Sequence, residues 1–497
     1  MSDTRVHVPV ISPAMAEVRR SFVPSIDGLW AAIAVVLPAA VTWFGTTPAI
    51  DLAYQVRAGN IMLNSHRVLD VDPFTFTVAG QEWLNQQWGA QVFLALIHGA
   101  GGWGAILFTS GVLVGTTAFF VYRSCRAVGA SPRTACVLTV SGCLVALEIL
   151  RAMRPQQFGC ALFAACVWIV STRRTAAWRI WLMPVLVVAW ANLHGSFPLV
   201  FALLGLAWLR DRRANPRAAR DLVVVTGLSG AATLVNPYGV RVWNYVADLS
   251  THPVISERVS EWSPPSIRSP TGALFLISLL LVAVFLARRG TKTTWPSLLG
   301  LGVLAALSFL ALRGVVWWAL GAPVILAEIV HDGERRRAAD RTRFNMAFAA
   351  VLTLLVALAL PIGRGTDPRS GGPAELTVAP ERLVSAARDA APAGSRAFVS
   401  QITASWSEYS APGFPVAVDS RIEIFPEAIW EDYLIVSNGR EGWTNVLNGW
   451  NVSVLILDRE QAAGLLEVIG AHPEWQLVER NDDGAVYVRP GPSVTPN

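Results

Sequence analysis

Asp51 stands apart among the acidic residues of this chain because of where it falls. It comes a few positions beyond the apolar run Leu29–Phe44, in the segment Asp51-Leu-Ala-Tyr54-Gln-Val-Arg57-Ala-Gly59-Asn-Ile61. A carboxylate at the edge of a bilayer, partly withdrawn from water, is suited to take a proton from a hydroxyl. The same residue in a solvated loop, or as a helix N-cap, would do no chemistry, and residue type alone favours that plainer reading. Asp70-Val-Asp72-Pro73 has the spacing with which two carboxylates share a divalent cation and a diphosphate, although Asp-Pro also begins ordinary turns. Arg151 and Arg154 could grip phosphate oxygens bidentately, or pair with Glu148 one turn earlier. His194 sits in the short turn Asn192-Leu-His194-Gly195-Ser196, able to hold phosphate, to move a proton or to cap a neighbouring helix end. Arg313, the one charge between two apolar runs, reads equally as a phosphate ligand or a snorkelling side chain.

Residues so far apart in the chain can meet only if long elements carry them to one place, and the composition says which elements. The chain has 497 residues, of which 15% are charged, against about 25% in an ordinary soluble protein. Its mean hydropathy is +0.44. Apolar runs recur at 29–44, 103–122, 134–150, 158–170, 178–193, 197–209, 222–235, 273–286, 295–312, 315–330 and 344–360. At ~20 residues per crossing these predict about eleven transmembrane helices. The first run is too long for a secretion signal and is expected to be retained. The net charge of +5 would suggest nucleic acid in a soluble chain. Here the arginines sit in short loops between apolar runs, so nucleic acid is excluded as a partner and membrane lipid takes its place. The 5 cysteines fall mostly within apolar runs and form no metal or disulfide spacing.

The arginines also predict orientation. They flank every second loop: Arg19 and Arg20, then Arg123, Arg126 and Arg133, then Arg173 and Arg174, then Arg210 to Arg220, then Arg288, Arg289 and Lys292, then Arg335 to Arg343. By the positive-inside rule these loops are cytoplasmic. The N-terminal segment 1–28 is then cytoplasmic, and the first extracytoplasmic loop is 48–87. The membrane domain is 29–362, and 363–497 lies outside. The protein is expected to be a multi-pass protein of the plasma membrane. Asp51 to Gln87, Arg151 to Gln156, His194, Asn236-Pro-Tyr-Gly239, Glu261-Trp262-Ser-Pro264 and Arg313 all collect at the outer face. Trp83–Ile97 reads as an amphipathic helix on that face, or as part of a longer helix kinked at the glycines that follow. Beyond Thr366 the text is that of a small α/β domain. Helices are expected at 380–388, 427–437 and 460–469, and strands at 396–400, 415–419, 452–457 and 485–489.

Taken together, these motifs resemble a family of bacterial polytopic membrane proteins related to the GT-C glycosyltransferases. The resemblance rests on Asp51-x-x-Tyr54 with Gly59 and Ile61, Asp72-Pro-Phe-Thr-Phe-Thr77, Arg154-Pro-Gln156 and Asn192-Leu-His194-Gly195. It continues through Asn236-Pro-Tyr-Gly239, Glu261-Trp-Ser-Pro264, Val418-Asp419-Ser420-Arg421 and Trp430-Glu-Asp-Tyr433. It implies a mostly α, GT-C-like membrane domain with an extracytoplasmic α/β domain. It further implies transfer of a sugar from a polyprenyl-phosphate donor, with inversion, to a cell-envelope glycan, lipid or protein. Asp51 would be the general base, with Asp72 a second catalytic acid. Arg151, Arg154, His194 and Arg313 would bind the donor phosphate, and Tyr54, Gln87, Asn236, Glu261 and Trp262 would serve the acceptor or the framework. The pattern demands no cofactor, and leaves open a divalent metal at Asp51, Asp70 or Asp72. Three departures stand out: Tyr54-Gln55 where the family often has Trp-His, Gln87-Trp88 for Glu-Trp, and Asp419-Ser420-Arg421 for Asp-Gly-Arg. A transporter or flippase of lipid-linked solutes would place its polar residues near the bilayer midplane and often show repeated halves; a non-catalytic assembly factor would keep the fold alone.

Overall fold

The computed structural model describes residues 24–251, 260–289, 293–333 and 341–489. Arg19, Arg20, Lys292 and Arg335 to Arg337 lie outside the described residues. The chain is mostly helical, and a helix forms at each of the apolar runs named above. Among the described residues five are long and apolar enough to cross a membrane: Ile26–Phe44, Trp88–Ala127, Pro270–Arg288, Leu312–Val330 and Thr342–Ala359. Shorter apolar helices lie at Pro132–Val145, Ala177–Leu193 and Trp295–Leu310. The expected run 134–150 is interrupted, because the helix ends at Val145 and a separate turn of helix follows at Leu147–Arg151.

The first helix opens with Ser25, whose hydroxyl accepts the Gly28 amide at 3.1 Å. It packs against Trp88–Ala127 through Trp43, which stacks on Phe108 at 5.5 Å and donates its indole N–H to the Phe108 carbonyl at 2.9 Å. The long helix begins at Trp88 rather than Trp83 and bends at Gly102, whose φ of +61° suits only glycine without strain. Gly101 and Gly102 both leave helical geometry, so two helical stretches meet in a kink at the expected glycines. Trp83 lies outside it, buried against Phe74.

Two further helices, Leu52–Ser65 and Arg241–Thr251, lie between the apolar runs. The first buries Leu52, Ala53, Tyr54, Gln55, Val56, Ala58, Gly59 and Met62. Gly59 lies against the backbone of Gln91, so close that any β-carbon would overlap the Gln91 carbonyl. That close approach sets how deeply the helix seats on Trp88–Ala127.

The C-terminal part builds a four-stranded sheet in the order Arg396–Val399, Val452–Asp458, Gly484–Val488, Gln476–Arg480. The first pair is parallel and the others antiparallel. Alternation sorts the strand residues between two cores. Phe398, Leu455, Leu457 and Tyr487 pack with Trp430 and Tyr433 on one face. Ala397, Val399, Val454, Ile456 and Val486 share a core with Leu52, Val56, Ala90 and Leu94 on the other. The sheet is thus seated directly on the helices that follow Asp51. The expected strand 415–419 is instead a single extended stretch lodged between Thr75 and Ala397, bridging one residue on each side. The helices Gln401–Ser410 and Trp443–Gly449 and the edge strand Gln476–Arg480 were not expected. That strand is mostly exposed and shows no apolar alternation to read.

Candidate functional site

The segment before Asp51 is pinned from two sides. Thr47–Pro48 pairs in parallel with Leu376–Thr377. The Thr47 hydroxyl accepts the Met153 amide at 2.8 Å, which brings the Arg154 turn alongside. Asp51 occupies the N-cap of Leu52–Ser65, yet its side chain caps nothing. The Tyr54 amide, which such a cap would serve, donates instead to the Ser405 hydroxyl at 2.9 Å, and that hydroxyl donates to the Ala49 carbonyl at 3.0 Å. A residue of the C-terminal layer thereby does the capping, and Asp51 is released to face Arg154.

Arg154 is the hub. Its Nε lies 3.1 Å from Asp51 Oδ2, and its Nη1 lies 2.6 Å from both oxygens of Glu261. Burial works against the Arg154 charge, but Asp51 and Glu261 outweigh it and hold the guanidinium above its ordinary value. Burial would likewise raise Glu261; Arg154 and Arg313 more than offset it, so this carboxyl sits below the usual range. The Arg313 guanidinium stacks on the Trp262 ring at 4.8 Å. Among the described residues it has no ion-pair partner.

His194 is buried, and burial together with Arg313 pushes its pKa down to about 3. The ring is therefore neutral near pH 7. Its Nδ1 accepts the Ser196 amide at 3.2 Å, which leaves the proton on Nε2. The ring thus offers an uncharged N–H donor.

Asp51, Tyr54, Gln87, Arg154, His194, Glu261, Trp262 and Arg313 line one cavity of about 340 Å³. The departures at Gln55 and Gln87 face each other there: Gln55 Nε2 donates to Gln87 Oε1 at 3.0 Å and to the Tyr54 hydroxyl at 2.7 Å. An amide pair stands where the family pattern would set an imidazole beside a carboxylate. The opposite wall was not foreseen. It brings Tyr245, Gln401, Arg421, Glu423 and Gln461 to the same space. Glu423 is pushed up by burial and accepts from the Tyr245 hydroxyl at 3.4 Å. Only Asp419-Ser420-Arg421, two residues before Glu423, carried any signal of this wall.

Three candidates lie elsewhere. Arg151 is exposed at the end of its short helix. Asn236 stabilises its own turn, donating to the Thr233 and Gly239 carbonyls and accepting the Tyr238 amide at 2.7 Å. Asp72 is buried outside the cavity. It accepts from the Phe74 and Thr75 amides at 3.2 and 3.0 Å, from the Thr75 hydroxyl at 2.5 Å, and from Arg421 Nη2 at 2.5 Å. Arg421 also holds Asp419 at 2.5 Å and lies over the rings of Trp83 and Phe74 at 4.6 and 4.9 Å. This buried cluster clamps the loop around Asp72 to the C-terminal layer.

The metal alternative does not fit these residues. Asp70 is exposed and Asp72 saturated, so the pair does not converge. Asp51 and Glu261 do converge, but on the Arg154 guanidinium, which fills the space a cation would take. Among the described residues no group of three or more His, Cys, Asp or Glu side chains could hold a metal ion.

No protein-family model matches this chain, and no curated protein matches it in sequence. Solved structures do match. The crystal structure of the Archaeoglobus fulgidus oligosaccharyltransferase in its apo form aligns with a TM-score of 0.50 and 11% identity, over 86% of this chain and 70% of that one. The archaeal oligosaccharyltransferase AglB from the same organism, in complex with an inhibitory peptide and a dolichol-phosphate, aligns with a TM-score of 0.52 and 12% identity, over 94% and 75%. The chain shares the fold of these two structures, and at this identity the likeness is one of fold alone. The cavity lies where the helical part and the C-terminal layer meet, with Asp51 and Arg313 on the helical side and Gln401 and Glu423 on the other.

Proposed function

We propose that the protein is a membrane glycosyltransferase that moves a sugar from a polyprenyl-phosphate donor to an acceptor on the extracytoplasmic side, with inversion. The observation that carries this reading is that one cavity of a GT-C-like fold is lined by both the Asp51 carboxylate and the Arg313 guanidinium. Arg154 holds the Asp51 carboxylate in place. Asp51 takes the proton of the acceptor hydroxyl. The freed oxygen attacks the anomeric carbon, and the bond to the phosphate oxygen breaks on the opposite side. The lipid phosphate leaves with the bonding electrons, stabilised by Arg313 and by the His194 Nε2–H. Arg154, engaged with two carboxylates, is here a positioning residue and not a phosphate ligand. No step runs through a metal. The dolichol-phosphate held by AglB supports a lipid-phosphate donor, and the alternation of arginine-rich loops supports placing the cavity outside. The reading keeps 29–362 as the membrane domain and 363–497 as the extracytoplasmic one.

The test is transfer in membranes from radiolabelled polyprenyl-phosphate sugars, wild type against Asp51→Asn and Arg313→Gln. Expected is loss of turnover in both variants with expression intact. Absence of transfer by the wild type from every donor, with biological function preserved in Asp51→Asn, would favour a non-catalytic assembly factor.

A further inference from the structure

The charged cavity does not stand alone. A second cavity, of about 350 Å³, adjoins it through Gln401, Ile422 and Gln461, which line both. The two differ in chemistry. The first gathers Asp51, Arg154, Glu261 and Arg313. The second is walled wholly by the C-terminal layer, and none of its lining residues carries a charge. Its polar groups are amides and hydroxyls from Gln401, Gln461, Ser437, Asn438 and Tyr433, set beside the Trp430 indole.

Several of these groups are already committed. The Tyr433 hydroxyl accepts the Gln401 amide at 2.9 Å, and Asn438 Nδ2 donates to the Leu434 carbonyl at 2.8 Å. The Trp430 N–H faces the Ile422 carbonyl at 3.4 Å, which leaves its ring as an apolar wall. Others are free. Gln461 Oε1 accepts the Ile402 amide at 3.1 Å, so that the side chain is oriented while its NH₂ group has no partner among the described residues. The Gln401 side-chain amide has none either among the described residues. Both stand at the junction of the two cavities, oriented or anchored and with hydrogen-bonding capacity unfilled.

We infer that the second cavity is the acceptor subsite and that it takes an uncharged saccharide, deepening the transferase reading on which it rests. Vicinal hydroxyls match free amides in donor and acceptor count, and aromatic walls suit the apolar faces of sugar rings. A charged acceptor would enter a wall with nothing to neutralise it. A peptide bound by strand addition would need an unpaired strand edge, and every lining residue here lies in a helix, a 3-10 turn or a helix-flanking turn. The acceptor hydroxyl would project past Gln401 and Gln461 toward Asp51.

The test uses the full chain in lipid nanodiscs and ligand-observed saturation-transfer NMR. The probes are two neutral disaccharides (lactose and diacetylchitobiose), a uronic-acid disaccharide and an uncharged tripeptide. Expected is binding of a neutral disaccharide, weakened about tenfold or more in Gln401→Ala/Gln461→Ala, as loss of one or two hydrogen bonds predicts. The uronic-acid and peptide probes bind at least about tenfold more weakly than the neutral sugar. Gln461→Glu keeps an oxygen for the Ile402 amide and replaces the NH₂ donors by a charged acceptor; it is expected to weaken the neutral sugar as well, and it guards against misfolding of the double variant. Tight binding of the tripeptide or the uronic-acid probe, no binding of either neutral sugar, or unchanged affinity in the variants would each overturn the subsite. Donor turnover of the wild type is measured in parallel. Turnover present with saccharide binding absent refutes the subsite alone, whereas absent turnover refutes the transferase reading itself.

Discussion

The Ser405 hydroxyl accepts the backbone amide of Tyr54 at 2.9 Å, and so performs the capping that the side chain of Asp51 would otherwise perform. The two residues belong to different layers of the protein, and their bond decides whether Asp51 is structural or available. Loss of a cap costs about 0.5–2 kcal/mol. Ser405→Ala is therefore expected to lower stability by that amount in thermal unfolding and to depress transfer further, because Asp51 can then swing back to the Tyr54 amide. A variant with reduced stability but wild-type turnover would show that Asp51 does not need this release.

Arg154 occupies the space between Asp51 and Glu261 that a divalent cation would need. Turnover is expected to be indifferent to EDTA. Lysine cannot hold two carboxylates in a planar fork. Arg154→Lys should therefore lower kcat at least about tenfold, a barrier increase of ~1.4 kcal/mol. Loss of wild-type activity on chelation, restored by a divalent ion, would refute the arrangement.

Gln55 and Gln87 are bonded to each other, so exchanging one alone leaves the other mismatched. Gln55→His and Gln87→Glu should each destabilise the protein, while the double variant recovers through a new imidazole–carboxylate pair. A coupling of roughly 0.5–3 kcal/mol is expected in a double-mutant cycle. Strict additivity would mean that the contact is energetically idle.

Asp70 and Asp72 are two residues apart and opposite in consequence. Asp72 is 1% exposed and bound to Arg421, so Asp72→Asn should cost about 3–5 kcal/mol by leaving that arginine short of a counter-charge. Asp70 is exposed, and Asp70→Asn should fall within about ±0.5 kcal/mol. Equal effects in denaturant titrations would contradict the buried clamp.

His194 predicts a pH dependence whose sign is definite. Its pKa falls from 6.5 to about 3 on folding, so the unfolded chain takes up this proton first. Stability should therefore decline as pH drops through 6.5 toward 3, and the contribution is fully present above that window. His194→Gln should flatten the slope of thermal stability against pH across that interval. An unchanged slope would show that the ring is not held neutral.

The helical runs were legible because burial in lipid writes itself into composition: a crossing needs ~20 apolar residues, and nothing else in a sequence looks the same. The strands Arg396–Val399, Val452–Asp458 and Gly484–Val488 were legible for a related reason, since both their faces are buried. Leu52–Ser65 escaped because its buried face includes Tyr54, Gln55 and Gly59, which read as loop until a partner covers them.

Residue type and position thus singled out Asp51, Arg154, His194, Glu261 and Arg313, with plainer readings open beside the functional ones. That they share one cavity was decided only in three dimensions. Arg154 and Glu261 are 107 positions apart, and Tyr54 and Ser405 351. Local sequence carries no trace of such pairings, because an ion pair or a cap is a matter of distance and not of neighbourhood along the chain. For the same reason Asp72, alike in type to Asp51 and nearby in sequence, was drawn into a buried clamp, while Glu423, which no motif marked, was brought to the cavity by the fold.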